Sequence, residues 1–429
     1  MNCARPFVIK CSSRARQDRR VSATAAGPLF ALCVCAAASA YAQTPAPAPP
    51  SLSLNDALSR AVEANRAIVA ARIGRGIDVA GIAAAGQRPN PEISMEEARE
   101  TPHWSFGGTL PLEISGKRQR RIDVANASVA ATDAEIARTI ADVRADVRRA
   151  YYQAVAALRR VTMSRELEAL ATRARDAAQD RFQTGAAPRL EALQAALALS
   201  LASNDVAAAE GGVTAARAEL NGLLSYPPDA APALADPLDV GPLPVLEAAV
   251  AQALAGNTEL ASLEKQIQLQ RAKVALADAM RHPDPAVSAA LTYDAPGEFT
   301  YGWRFGAAVA LPILTTGNPD VAVAKATLDK AIADRDARAA QISAAVAAAV
   351  ARASAARQSV ERYRNDILPA LQQVEQMADE SYRAGQTGLP AYVQTLQAAR
   401  DARQRALEAG LEYQLALADL ERAMGTPLK

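Results

Sequence analysis

Catalytic chemistry needs histidines, cysteines or carboxylates gathered at short spacing, and this 429-residue chain offers little of the kind. Its two histidines, His103 and His282, stand far apart and neither belongs to a His pair. No HExxH, no glycine-rich phosphate loop and no Gly-x-Ser-x-Gly elbow occurs. Carboxylates recur at i, i+3 and i, i+4, a spacing that highly charged helices carry as surface ion pairs without any catalytic role. Both histidines therefore read as interfacial or solvent-facing groups. No catalytic residue, metal ligand or cofactor is expected, and an enzyme is excluded.

The four cysteines, Cys3, Cys11, Cys33 and Cys35, all precede residue 43. They fall in a stretch with Arg14, Arg16, Arg19 and Arg20, then the apolar "GPLFALCVCAAASA", then Ala40-Tyr41-Ala42. Basic, apolar, small-x-small is the order of a secretory signal peptide, here residues 1–42, with cleavage expected before Gln43. Arg19-Arg20 raises twin-arginine export as a lesser alternative. The residues before Cys33 and Cys35 match a lipidation site poorly, so no lipid anchor is expected. The exported chain then keeps 41 basic and 45 acidic residues and no cysteine. That balance argues against nucleic acid as a partner. No later segment approaches the roughly 20 consecutive apolar residues of a membrane helix.

Against an alanine-rich background, "EFTYGWRFGAAVALPILTTG" (Glu298 to Gly317) stands out. Phe299, Tyr301, Trp303, Phe305, Ala307, Val309 and Leu311 alternate with small or polar residues, so a strand over about 298–312 has one aromatic and one polar face. Trp104, Phe106, Leu110 and Leu112 repeat the pattern over about 103–113, as do Val287, Leu291 and Tyr293 over about 285–294. A weaker version covers about 91–99. Strands of about ten residues, apolar outside and polar inside, suit an outer-membrane β-barrel, with Trp104, Phe106, Leu110, Tyr293, Phe299, Tyr301, Trp303 and Phe305 toward lipid. A small soluble sheet on helices is the competing reading. Four strands cannot close a barrel, and open edges in lipid leave backbone groups unpaired. Several chains must therefore share one.

The chain also repeats itself. "WSFGGTLPLEISG" (Trp104 to Gly116) returns as "WRFGAAVALPILTTG" (Trp303 to Gly317). "RFQTGAAPRLEALQA" (Arg181 to Ala195) returns as "YRAGQTGLPAYVQTLQA" (Tyr382 to Ala398). Offsets of about 200 residues indicate a duplicated half-domain rather than a solenoid. The division is a Pro/Ala-rich segment 43–53, a first repeat 54–224, a Pro- and Asp-rich linker 225–244, a second repeat 245–425 and a tail 426–429. In each repeat two shorter helices precede the strands, and a long outgoing helix (about 117–184 and 319–385) and a return helix (189–224 and 389–424) follow. Ile122, Val129, Ile136, Val143 and Ala150 keep a seven-residue spacing, as do Val321, Leu328, Ile342, Ala349 and Ala356, a row interrupted at Arg335. Such heptads mean close coiled-coil packing. The shorter helices complete the return limbs if they stack end to end, and Pro369 should kink the second outgoing helix.

Together the duplicated halves, the Ile367-Leu368-Pro369 stretch, the Tyr382-x-x-Gly385 turn and Leu420 to Gly425 ("LERAMG") resemble the TolC-like outer-membrane efflux family over nearly the whole exported chain. "RPNPEIS" (Arg88 to Ser94) and "LPLEISGKRQRRIDVA" (Leu110 to Ala125) are similar to its CzcC-type heavy-metal subgroup. The resemblance implies a mainly α fold with a small β part, in which three chains make a twelve-stranded transmembrane barrel on a twelve-helix periplasmic tunnel. It implies a homotrimer in the outer membrane, with a periplasmic membrane-fusion adaptor and an inner-membrane RND pump as partners. The adaptor contacts would be the hairpin tips, Thr184, Gly185 and Ala186 and then Gly385, Gln386, Thr387, Gly388 and Leu389. Glu191, Gln194, Gln394 and Gln397 would surround the periplasmic aperture. TolC carries acidic residues where Gln394 and Gln397 stand, so closure here would rest on hydrogen bonding or packing. The implied function is a passive exit duct of a tripartite exporter of divalent heavy-metal cations. Multidrug efflux or type I secretion is the alternative within that class, and a soluble periplasmic coiled-coil scaffold is the alternative outside it.

Overall fold

The protein is described from a computed structural model covering residues 51–427. The signal peptide and nearly all of the Pro/Ala-rich segment lie outside the described residues. Among these, α1 (Leu54–Ala64) and α2 (Arg66–Ala85) lead into β1 (Glu92–Glu97) and β2 (Trp104–Pro111). The long α3 (Lys117–Gln183) and the return helix α4 (Arg189–Leu224) follow. The second repeat runs α5 (Leu246–Gly256), α6 (Thr258–Met280), β3 (Pro285–Ala295), β4 (Phe299–Val309), α7 (Asn318–Arg362), α8 (Leu368–Arg383) and α9 (Leu389–Met424). The strands form one antiparallel sheet in chain order, leaving β1 and β4 as its edges. At 67 residues α3 is about 100 Å long.

Left-handed backbone marks the same three places in each repeat. Gly116 and Gly317 turn strand into outgoing helix, Gly185 and Gly385 make the hairpin tips, and Ser225 and Gly425 end the return helices. Positive φ costs glycine little, which is why five of these six positions are glycine.

The return limbs are spliced from two helices each, and a buried asparagine makes each splice. Asn65 is the N-cap of α2, accepting from Ala67 N, while its amide donates to Leu223 O near the end of α4 at 2.9 Å. Asn257 caps α6 through Glu259 N and donates to Ala423 O in α9 at 3.0 Å. One side chain thus satisfies an orphan N–H of the upper helix and a terminal carbonyl of the lower one. A hydrophobic cluster surrounds each joint. Ile68, Val147, Tyr151, Leu220 and Leu224 pack at the first, and Leu260, Val346, Leu420 and Met424 at the second.

The linker is tied across these joints. Leu52 forms a parallel bridge with Leu234. The buried Tyr151 donates to Leu52 O at 2.9 Å and accepts from Asp236 N at 3.2 Å. In α9 Tyr413 donates to Gly241 O at 2.7 Å and Gln414 to Asp239 O at 2.6 Å.

Two expectations need correction. The second outgoing limb is not one kinked α-helix: residues Tyr363–Ile367 form a π-helical turn between α7 and α8. Pro369, at the start of α8, can neither donate to the ladder nor sit against the carbonyl a turn earlier, so the preceding turn widens. Secondly, Arg189–Leu224 and Asn318–Tyr382 are long and apolar enough to cross a membrane by length and composition. Alanine supplies much of that hydropathy, and both apolar windows are largely unburied within the single chain.

Removing the joint's amide in Asn257→Ala orphans buried donors and acceptors. It should cost about 1–3 kcal/mol, measured as a lower thermal unfolding temperature. Burial pushes the Tyr151 phenol up to about 12. Its folded value lies above the unfolded one near 10, so its contribution is complete below about pH 10 and is lost as pH rises toward 12. Tyr151→Phe should destabilise by a similar amount at neutral pH and flatten that alkaline limb in pH-dependent melting curves.

Candidate functional site

The sheet carries the alternation into register. Across the strands Trp104 stands opposite Tyr293 and Tyr301, Phe106 opposite Leu291 and Trp303, and Gly108 opposite Ala289 and Phe305. Leu110 continues the same face opposite Val287 and Ala307. This gives a continuous aromatic face on which Trp303 and Phe305 are 73% and 78% exposed. The opposite face is small or polar, with Ser105, Gly107, Thr109, Ser288, Ala290, Thr292, Gly302 and Gly306 alongside the charged Glu92, Glu96 and Arg304. A Cβ on Gly302 or Gly306 would stand 2.7 Å from the Thr292 or Ser288 hydroxyl, so close-packed strands need glycine there. Phe299 does not join the aromatic face as expected. Its ring lies where a Gly302 side chain would be. The left-handed Asp294, near the end of β3, and Gly297 of the turn re-aim the first side chain of β4.

Below the sheet, the residues that carry the subgroup resemblance have a structural task. Arg118 donates to Gly86 O at 2.6 Å, and Arg121 to Ala85 O and Gln87 O at 3.3 and 2.9 Å. Cations there satisfy the open carbonyls that end α2 and face the negative end of its dipole. Arg121 also pairs with Glu113, and this hydrogen bond holds the Glu113 carboxyl below the usual range. The buried Lys117 reaches Asp284, just before β3, at 2.7 Å. The second repeat has Asn318-Pro319-Asp320 at the corresponding turn, where the Arg281 side chain lies against Gly317.

At the tips Gly185 and Gly385 have φ of 75° and 71°. Thr184 caps α3 by donating to Asp180 O. Ala186 N and Gln386 N reach back to Arg181 O and Ser381 O in the same way. Gly388 adopts extended backbone at the N-cap of α9, and Thr387 precedes it in the turn; Leu389 opens α9. The four aperture candidates do not gather within the chain. Gln194 and Gln394 are exposed, and Gln397 borders a cavity of about 340 Å³ between α3, α4 and α9. Glu191 is withdrawn between the hairpins instead, accepting from Tyr382 Oη at 3.2 Å and paired with Arg181 at 3.3 Å. Tyr382 stacks on Tyr392 with centroids 4.7 Å apart, and the Arg181 guanidinium lies 5.3 Å from the Tyr382 ring. Burial, then the Glu191 carboxylate, push the Tyr382 phenol up. Arg400–Asp205 continues this strap upward between α9 and α4, while Arg403–Glu375 ties α9 to α8 within the second hairpin. Sequence reasoning missed Tyr382 and Tyr392 as partners, although both lie beside the repeated tip motif.

His103 sits by Asp294 at the sheet's far end, Nδ1 to Oδ2 3.2 Å, and His282 at the end of α6. Among the described residues no three His, Cys, Asp or Glu side chains gather as a metal site.

The arrangement has known counterparts. A curated relative, the cobalt-zinc-cadmium resistance protein CzcC of Cupriavidus metallidurans, is 26% identical over 343 residues, covering 78% of this chain and 80% of its own. A membrane protein from Pseudomonas aeruginosa superposes with a TM-score of 0.72 at 18% identity, over 87% of this chain and 93% of that one. CusC, whose crystal structures concern transmembrane channel formation, superposes at 0.71 and 16% identity over 88% and 93%. The sequence pattern of the outer membrane efflux protein family matches residues 57–225 and 249–426. The chain therefore belongs to the outer membrane efflux protein family, as an outer-membrane transport duct and not an enzyme.

Proposed function

We propose that three copies of this chain close into one barrel and one tunnel, forming the exit duct of a tripartite exporter of divalent heavy-metal cations. The observation that carries the ring is that every layer ends in two unlike free edges. The sheet ends in β1 and β4. The upper helices run α2, α3, α6, α7, and the lower ones α4, α3, α9, α8. Unlike edges join head to tail, and such an interface closes as a ring. Three copies supply twelve strands, above the eight needed to close a barrel. The exposed aromatic face then meets lipid, and the helical limbs reach into the periplasm. There the glycine tips meet an adaptor and, through it, an inner-membrane RND pump.

Heavy-metal cargo is supported by the likeness to CzcC and by the clasp residues Lys117, Arg118 and Arg121, which lie in the stretch similar to that subgroup. A duct should hold its cargo weakly, since tight sites slow exit. The polar strap around Glu191 and Tyr382 ties the two tips of one chain together, so widening the aperture requires it to yield.

Purified from outer membranes in mild detergent, the protein should have the mass of three chains after bound detergent is subtracted, and should fall to single chains on heating. A detergent-free monomer would return the strands to a soluble sheet. A strain lacking the protein should become sensitive to zinc, cobalt or cadmium salts. Sensitivity to dyes and antibiotics alone would move the cargo to drugs. Tyr382→Phe removes about 1 kcal/mol from the strap, about a fivefold shift toward the parted state. Its conductance in planar bilayers should exceed the wild type's, and Glu191→Gln should act in the same direction.

A further inference from the structure

The sheet carries almost no charge except at its two free edges, and there the signs differ. Between Trp104 and Pro111 of β2, and between Pro285 and Tyr293 of β3, no residue is charged. β1 holds Glu92, Glu96 and Glu97, while Arg304 is the one charged residue of β4. Glu92 and Glu96 stand on the small polar face, opposite Thr109 and Ser105. Arg304 stands on the same face, opposite Ala290. Gly302 and Gly306 flank it along its strand, and Ser288 and Thr292 across from them offer hydroxyls but no carboxylate. Arg304 is exposed, and among the described residues no acidic side chain of its own chain pairs with it. A counter-charge would have to come from across the open edge.

We propose that Arg304 of one copy pairs inside the bore with Glu96 of the next, with Glu100 just above as a second carboxylate, and that this contact sets the register in which the barrel closes. The inference rests on the ring reading and adds the register to it. Three-fold symmetry and matching faces allow β1 of the next copy to be displaced by two, four or six residues. At about 3.4 Å per residue and about 4.8 Å between strands, these offsets tilt twelve strands by about 20°, 35° and 47°. Only four lies in the usual range of about 35–45°. Chirality gives its direction. Leu112, which continues the aromatic face of β2 as the chain descends to the helices, donates its N–H to Pro285 O of β3 at 2.8 Å. For L-residues with that face outward, each next strand then lies to the left as seen from lipid. Right-twisted strands lean to the right as they rise, so a row crossing them climbs as it passes leftward. The Arg304 row therefore meets the next copy at Ala98. Glu96 and Glu100 are then its diagonal neighbours, about 7–8 Å away and within reach of a long side chain. The opposite direction would set Pro89 and Pro91, which have no N–H, against β4. Alternation forbids a slip by one residue but tolerates a slip by two, and the unlike pair removes that freedom. Two β1 edges, or two β4 edges, would bring like charges together, which keeps the joint head to tail.

Arg304→Glu should make the purified particle fall to single chains at a lower temperature than the wild type. Adding Glu96→Arg to it should recover most of that shift. A swap that leaves the lability of Arg304→Glu unrelieved would overturn the ion pair. The register is read separately, because the exported chain is expected to lack cysteine and leaves a clean background for cross-linking. With an offset of four, Ser94 faces Ala308 of the neighbouring copy. Mild oxidation of Ser94→Cys combined with Ala308→Cys should then give a covalent ladder up to three chains on non-reducing gels. Glu92→Cys with Ala308→Cys reports an offset of two, and Ser94→Cys with Ala310→Cys an offset of six. A three-chain particle that forms its ladder at either of these instead, or at none, overturns the register. A wild-type particle without the mass of three chains sinks the ring reading itself, and the mass measurement alone separates that case.

Discussion

A backbone N–H or C=O left unpaired in hydrocarbon costs several kcal/mol, and most of this architecture follows from that penalty. β1 and β4 each present a row of such groups, and among the described residues no further strand pairs with them. Loops or charged residues often blunt a free edge in soluble sheets. Here the edge strand β4 is the most aromatic element in the protein and is exposed along nearly its whole length. Its chemistry makes sense only with lipid on one face and another strand at its edge.

The same requirement for satisfied backbone groups, met by side chains, organises the helices. Each return limb would expose a broken end of one helix to the start of another, and one asparagine resolves both. At the barrel's foot two arginines, Arg118 and Arg121, do the equivalent work for the end of α2. Packing then adds what hydrogen bonds alone cannot, since the two clusters around the joints hold most of the largest fully buried side chains among the described residues, Tyr413 being an exception. Small residues elsewhere keep the helices close and the layer one helix thick.

Much of this was legible in the sequence, for physical reasons that differ by element. Alternation of period two fixed the aromatic faces because strands allow no other arrangement, and heptads fixed the coiled-coil limbs. Duplication allowed each reading to be checked against its counterpart. Side-chain partnerships were less accessible. Glu191 aligns with an aperture position, but its carboxylate turns inward because Arg181 and Tyr382 lie within reach, a fact of three-dimensional spacing. Phe299 obeys the alternation in sequence and breaks it in space, because two left-handed residues precede it. The asparagine splices were visible in principle, as Asn65 and Asn257 hold equivalent places in the repeats. Proline predicted a disturbance near residue 369 but not its form, a π-turn one step earlier.

The clasp at the barrel's foot is not confined to one repeat. Arg118 and Arg121 fasten the start of α3 to the end of α2, and Lys117 reaches across to Asp284 beside the first strand of the second repeat. At the equivalent turn of the second repeat the Arg281 side chain lies against Gly317. The foot of the sheet is thus cross-braced between the two halves of the chain, so that a load taken up by one half is shared with the other before it reaches the tunnel.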